Sequence, residues 1–224
     1  GVFVIDYPCN LNVSGLQHFL KVPRVDPCAP DDHQCLALRY FENGRFDQAL
    51  LEAKRSIRQD GPSGSLYLIS AIACVELERI AEAYQLLERG LEMEPDNGRM
   101  HAVIREITRE VGWYDLTAGI LERHLFRKPN DHIARATLGW VYLESGDKTK
   151  GLQMLKDVVA SDSSEVFAHI RLSEFHLQNE QVDLAIVILR QALVISPENV
   201  RLLLTLGKCE LKREDLNAAA TAFE

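Results

Sequence analysis

Apolar positions along this chain follow the spacing of amphipathic helices, and the helices themselves recur. From Pro30 onward, equivalent residues lie 34 apart: Leu36, Ser70, Ile104, Leu138, Leu172 and Leu206 hold the seventh place of successive repeats. Small residues hold the eighth place, as Ala37, Ala71, Gly139, Ser173 and Gly207, with Arg105 the exception. The twentieth place reads Ala49, Ala83, Thr117, Gly151, Ala185 and Ala219, and the twenty-fourth Ala53, Leu87, Leu121, Leu155, Leu189 and Phe223. Repeats therefore start at Pro30, Gly64, Gly98, His132, Val166 and Val200, without insertion or deletion. A fixed period of this length is the mark of a solenoid.

Each repeat reads as two short amphipathic helices in a hairpin. Small residues at the eighth and twentieth places let the two backbones approach, and large ones fill the gap between them. Gly44, Gly112 and Gly146 stand where the first helix must end, which requires a positive φ. Pro95, Pro129 and Pro197 then stop the second helix, with Gly61 and Ser163 in that place in the other complete repeats. Neither helix buries its apolar face alone, so repeats must stack. Residues 1–29 lie outside this register. There Val2-Phe3-Val4-Ile5 suits a strand or extended arm, Leu16 to Leu20 a short helix, and prolines forbid a long one.

Composition narrows the function. The chain carries 25 Lys and Arg against 33 Asp and Glu, a net charge of −8, which disfavours nucleic acid. No apolar run reaches the length of a membrane span. No signal peptide is expected either, because Val2 to Ile5 has no basic start and Asp6 interrupts it. Cys9, Cys28, Cys35, Cys74 and Cys209 are odd in number and scattered, the usage of reduced thiols in a cytosol. Cys9, Cys28 and Cys35 are near enough in sequence for one bridge, and a periplasmic setting stays open if a signal peptide was removed. No Cys-x-x-Cys or paired-His spacing favours zinc, so neither metal nor cofactor is expected. No phosphate loop, zinc-protease motif or nucleophile elbow points to catalysis. His33, His101 and His169 share the fourth place of alternate repeats, too far apart along a stack to share a metal. They read instead as half-buried residues filling an aromatic slot.

These residues and this spacing resemble the tetratricopeptide repeat family. The resemblance runs from Pro30 to Glu224, where the sixth repeat stops inside its second helix. It implies an all-α, right-handed superhelical solenoid preceded by a short irregular N-terminal segment. The third repeat departs most, with Arg105, Thr108, Thr117 and His124 at places that take small or aromatic residues. Arg105 must snorkel or meet Glu106, Glu110 or Asp115, and the repeat is either a drifted copy or a joint in the stack.

In the family, the first helices line a concave groove. Carried onto this chain, that wall comprises Leu38, Phe41, Leu68, Ile72, Val75, Glu106, Arg109, Trp140, Leu143, Phe167, Ile170, Glu174, Leu177, Leu204 and Lys208. Gln34 and Leu38, like Ala102 and Glu106, replace the Lys and Asn with which some members grip a chaperone's terminal carboxylate. An apolar wall suits an amphipathic or apolar protein segment, with Phe41, Ile72, Trp140 and Phe167 as anchors. Trp113 falls in a turn between helices and reads as packing. The implied role is a non-catalytic scaffold in assembling a larger complex, as similar arrays serve in bacterial pilus and secretion systems. Three alternatives stay open: the substrate-recruiting arm of a glycosyltransferase or sulfotransferase, self-association through the sixth repeat, and a groove filled by the chain's own N-terminal segment.

Overall fold

The computed structural model describes residues 32–95 and 97–223, and these form twelve α-helices. They are α1 (His33–Glu42), α2 (Phe46–Gln59), α3 (Gly64–Glu76), α4 (Ile80–Met93), α5 (Gly98–Val111) and α6 (Tyr114–Arg127). There follow α7 (His132–Ser145), α8 (Lys148–Ser161), α9 (Val166–Gln178), α10 (Val182–Ile195), α11 (Val200–Lys212) and α12 (Leu216–Phe223). No described residue is in a strand, and the expectations for Val2 to Ile5 and Leu16 to Leu20 lie outside the described residues.

The chain divides into two compact units, Gly1–Trp113 and Tyr114–Glu224. In the first, α1 pairs with α2 and α3 with α4, α2 packs on α3 and α4 on α5, and the first helices α1, α3 and α5 are neighbours in turn. In the second, α7 pairs with α8, α9 with α10 and α11 with α12. There α6 packs on α7, α8 on α9 and α10 on α11, with α9 beside both α7 and α11.

Local chemistry sets the helix starts. α3, α5, α7, α9 and α11 begin at Gly64, Gly98, His132, Val166 and Val200, where the period places the repeat starts. The residue before each is a capping acceptor: Ser63, Asn97, Asp131, Glu165 or Asn199 takes an N–H from the first turn. The same device starts α1 three residues into its repeat, where Asp32 accepts from the Cys35 amide at 2.9 Å.

The helix ends are equally regular. At the fifteenth place the backbone is left-handed in all six repeats, at Gly44, Glu78, Gly112, Gly146, Glu180 and Glu214. The next amide reaches back to the eleventh residue: Arg45 to Tyr40, Arg79 to Cys74, Gln181 to His176 and Asp215 to Glu210, at 2.7–3.0 Å. That bond closes the helix with orphan carbonyls satisfied. Only three of the six residues that adopt this conformation are glycines.

The hairpins close on small residues. All six residues of the twentieth place are buried, as are Ala37, Ala71, Gly139, Ser173 and Gly207 at the eighth, while Arg105 is half-buried. In the α7–α8 hairpin a Cβ on Gly151 would stand 2.6 Å from the Gly139 carbonyl oxygen and 2.8 Å from the Leu143 nitrogen. Such backbone contact leaves no room for even a methyl group. In the third repeat Thr108 takes an aromatic's place, and a neighbour fills the space. Thr108 donates to the Ile104 carbonyl at 2.6 Å, so the Tyr84 hydroxyl donates to Thr108 at 2.9 Å. Trp113 then stacks on the Tyr84 ring at 5.9 Å, a packing role.

The cysteine expectation needs a correction. Cys35 is disulfide-bonded, so the chain does not hold five reduced thiols. Cys74 and Cys209 are free and buried, their thiols pushed up to about 11 chiefly by desolvation. Thiols held protonated in this way are poor nucleophiles.

Candidate functional site

The wall assigned from the sequence is less accessible than its residue types imply. In the first unit Phe41, Leu68, Ile72 and Val75 are buried, Leu38 and Glu106 half-buried, and Arg109 exposed. In the second unit Trp140, Phe167 and Ile170 are buried, Leu143, Glu174 and Leu177 half-buried, and Leu204 and Lys208 exposed. All four residues expected as anchors, Phe41, Ile72, Trp140 and Phe167, thus lie in the core. The reason is physical: within each unit adjacent first helices pack directly on one another, so their large apolar side chains are consumed between them. What remains for a partner is the polar and half-buried remainder.

That remainder forms a cleft in the second unit. It has a volume of about 230 Å³ and is lined by Trp140, Leu143, Glu144 and Lys148 on one side and, on the other, by Arg171, Glu174, Phe175 and Gln178 of α9 with its capping residue Asn179. The α7 positions Trp140, Leu143 and Glu144 recur at helical spacing, as do Arg171, Glu174, Phe175 and Gln178 on α9, so each helix presents one edge. Trp140 is the floor. Its indole is 1% exposed, meets the Tyr114 ring edge-on at 6.3 Å and donates through Nε1 to the Glu144 carboxylate at 3.0 Å. The Arg171 guanidinium lies 5.8 Å from the Trp140 ring and 5.1 Å from the Phe167 ring, and pairs with Glu174 at 2.8 Å. Its orientation is therefore set by two aromatic faces and a carboxylate together.

Two of the expected residues, Leu143 and Glu174, open into this cleft, and Trp140 supports it from beneath. Phe175, Gln178 and Asn179 line the cleft as well: Phe175 follows Glu174 directly, Gln178 lies one helical turn further on, and Asn179 caps α9. In the first unit Glu106 and Arg109 form an exposed pair at 2.6 Å.

The repeated histidines are ties between elements. Nε2 of His101 bonds the Pro95 carbonyl and Nε2 of His169 the Ser163 carbonyl, both at 3.1 Å and both six residues back. Each anchors a first helix to the turn that precedes it. His33 instead pairs with Glu52 on α2 at 2.6 Å. Burial lowers the pKa of His169, which holds that ring neutral. A further buried pair, His124 with Asp131 at 2.7 Å, joins α6 to the cap of α7. Among the described residues no group of three or more His, Cys, Asp and Glu is placed to hold a metal ion. No described helix is long and apolar enough to cross a membrane.

Comparison with known proteins places this architecture. Family models described as tetratricopeptide repeat match residues 40–107 and 136–200. No curated protein matches the chain in sequence. Among solved structures, PilW, described as a widely conserved type IV pilus biogenesis factor, is similar with a TM-score of 0.57 at 16% identity, over 85% of this chain and 88% of that one. The pilF protein of Pseudomonas aeruginosa gives 0.55 at 16% identity, over 86% and 87%. A thermophilic tetratricopeptide repeat protein of Thermus thermophilus gives 0.55 at 18%, over 82% of this chain and all of that one. At such identities these likenesses concern the fold. The matched segments together span more than half of the chain, and the chain belongs to the tetratricopeptide repeat family.

Proposed function

We propose that the chain is a protein-interaction scaffold whose second unit captures an amphipathic segment of a protein partner between α7 and α9, in the assembly of a larger complex. The observation that carries this reading is the cleft itself: an aromatic floor at Trp140, apolar shoulders at Leu143 and Phe175, and a rim of opposed charges from Glu144, Lys148, Arg171 and Glu174. A segment with one apolar edge and flanking polar groups complements such a rim better than a purely apolar one does. The charges select partner and register, while the apolar shoulders supply area. The fold is similar to that of PilW, a type IV pilus biogenesis factor, which suits an assembly role. The disulfide at Cys35 favours an oxidising compartment over the cytosol.

Selection of a displayed peptide library on the full chain tests this reading. The recovered peptides are expected to be amphipathic and to lose roughly tenfold in affinity on Glu174→Lys, with a smaller loss on Asn179→Ala. Peptides that bind these variants as tightly as the parent would place the binding site elsewhere.

A further inference from the structure

We propose that the groove between the second helices α8 and α10 is a further binding site, one that takes a tyrosine side chain of a partner protein. Among the described residues, α8 and α10 both pack on α9 but not on each other. The gap between them is a pocket of about 380 Å³. Val159 and Ala160 of α8, Leu172 of α9, and Leu184 and Ile188 of α10 give it apolar walls. An apolar cavity of about 150 Å³ already takes up benzene, so an aromatic side chain fits with room to spare. The pocket shares no lining residue with the cleft between α7 and α9.

Two polar side chains, Lys156 and His176, complete the lining. His176 is 8% exposed, and its Nδ1 lies 2.7 Å from Gln181 Oε1, an atom that can only accept. The ring proton is therefore on Nδ1, and Nε2 carries a lone pair. Neither Nε2 nor the Lys156 ammonium has a partner among the described residues. The carboxylates nearest in sequence do not line the pocket. Asp157 accepts from Gln153 at 2.8 Å, Asp183 lies 3.6 Å from Arg213, and Glu180 is exposed in the turn after α9. A buried ring nitrogen is costly to leave unpaired. An acceptor and a donor set in apolar walls together describe a phenol, whose O–H donates to Nε2 while its oxygen accepts from Lys156.

Other repeats show what this place lacks. One repeat earlier, the places of Lys156, His176 and Leu184 hold Glu122, Tyr142 and Lys150, and a hydroxyl ties them together: Tyr142 donates to Glu122 and accepts from Lys150. One repeat later, Arg190 and Glu210 stand at the places of Lys156 and His176 and pair at 2.9 Å. In the first unit Lys54 and Glu82, at the places of Lys156 and Leu184, also pair at 2.9 Å. Between α8 and α10 no such tie can form, because Leu184 brings no charge and the neutral imidazole no carboxylate. A tyrosine from outside supplies there what Tyr142 supplies from within the chain. At the rim, Leu184 and Val187 are 44% and 50% exposed, one turn apart on α10. Aliphatic neighbours of the tyrosine would cover them, which favours a protein segment over a small phenol.

Fluorescence anisotropy on the full chain tests the proposal, using labelled short peptides in which leucines flank a tyrosine, a phenylalanine or a glutamate. The tyrosine peptide is expected to bind roughly tenfold more tightly than the other two, which leave the pocket's polar groups unpaired. His176→Tyr, which places the fourth repeat's own residue in the pocket, is expected to abolish that binding while the urea midpoint is kept or raised. Lys156→Ala, at an exposed side chain, is expected to weaken it several-fold with folding unchanged. Glu174→Lys in the cleft should leave the affinity as it was. Failure of the tyrosine peptide to bind, equal binding of the phenylalanine peptide, or indifference to both pocket substitutions overturns the proposal. So does tighter binding of the glutamate peptide, which would assign the pocket to an acid. Free p-cresol competing as well as the peptide would overturn it in favour of a small phenol.

Discussion

Trp140 shows how much depends on depth at the scale of a single residue. Its place in the repeat puts it on the first-helix wall with Leu143, yet the indole is 1% exposed while Leu143 is only half-buried. Tyr114, Arg171 and Glu144 account for its surroundings on three sides. Truncation would empty one of the largest fully buried volumes in the chain. Trp140→Ala is thus expected to destabilise the second unit by about 3–5 kcal/mol, measured by urea unfolding. A loss below about 1 kcal/mol would show that the ring is dispensable to packing. Residue type and spacing made the side of the helix legible in the sequence, since Trp140, Leu143 and Glu174 all gather about one cleft. Burial was not legible, because it depends on how closely α7 and α9 approach, a distance that a periodic pattern does not contain. The same holds for His101 and His169. Their shared place was visible, but the carbonyls they bond lie in turns whose path only the folded chain defines.

At the scale of the element, the fifteenth place of the repeat is the most informative. Gly44, Gly112 and Gly146 mark a left-handed helix end in the sequence, and Glu78, Glu180 and Glu214 adopt it with φ of 59–67°. A residue bearing a Cβ is strained there by about 1 kcal/mol or more, a strain glycine lacks. It is held in place by the bond from the following amide, Gln181 to the His176 carbonyl at 2.9 Å in the case of Glu180. Glu180→Gly is therefore expected to raise stability by roughly 0.5–1 kcal/mol, the relieved strain exceeding the entropy that glycine adds to the unfolded chain. A lower urea midpoint would mean that the glutamate side chains carry a compensating interaction. The starts of α3, α5, α7, α9 and α11 fall on the repeat starts that the period marks, whereas the caps that fix them, Ser63, Asn97, Asp131, Glu165 and Asn199, emerge from the folded chain. The left-handed glutamates were not legible, because tertiary packing imposes a conformation that local preference opposes.

Over the whole molecule, the boundary between the compact units falls in the turn of the third repeat, between Trp113 and Tyr114. This is the repeat whose crossing and core places carry Arg105, Thr108, Thr117 and His124, the last three buried. Polar groups at helix crossings must each find a hydrogen bond, so they contribute less to a stack than the alanines and leucines of other repeats. Repeat arrays unfold as coupled neighbours, and cooperativity divides where coupling is weakest. The chain supplies its own reporters, since it has two tryptophans: Trp113, stacked on Tyr84 in the first unit, and Trp140, buried in the second. Trp140→Phe leaves Trp113 to report on a first unit of native sequence, and Trp113→Phe leaves Trp140 to report on a native second unit. In urea, tryptophan fluorescence of the two variants is expected to give midpoints separated by more than about 0.5 M. Coincident midpoints would show the third repeat transmitting unfolding as strongly as any other, and its polar substitutions would then count as drift within one cooperative array.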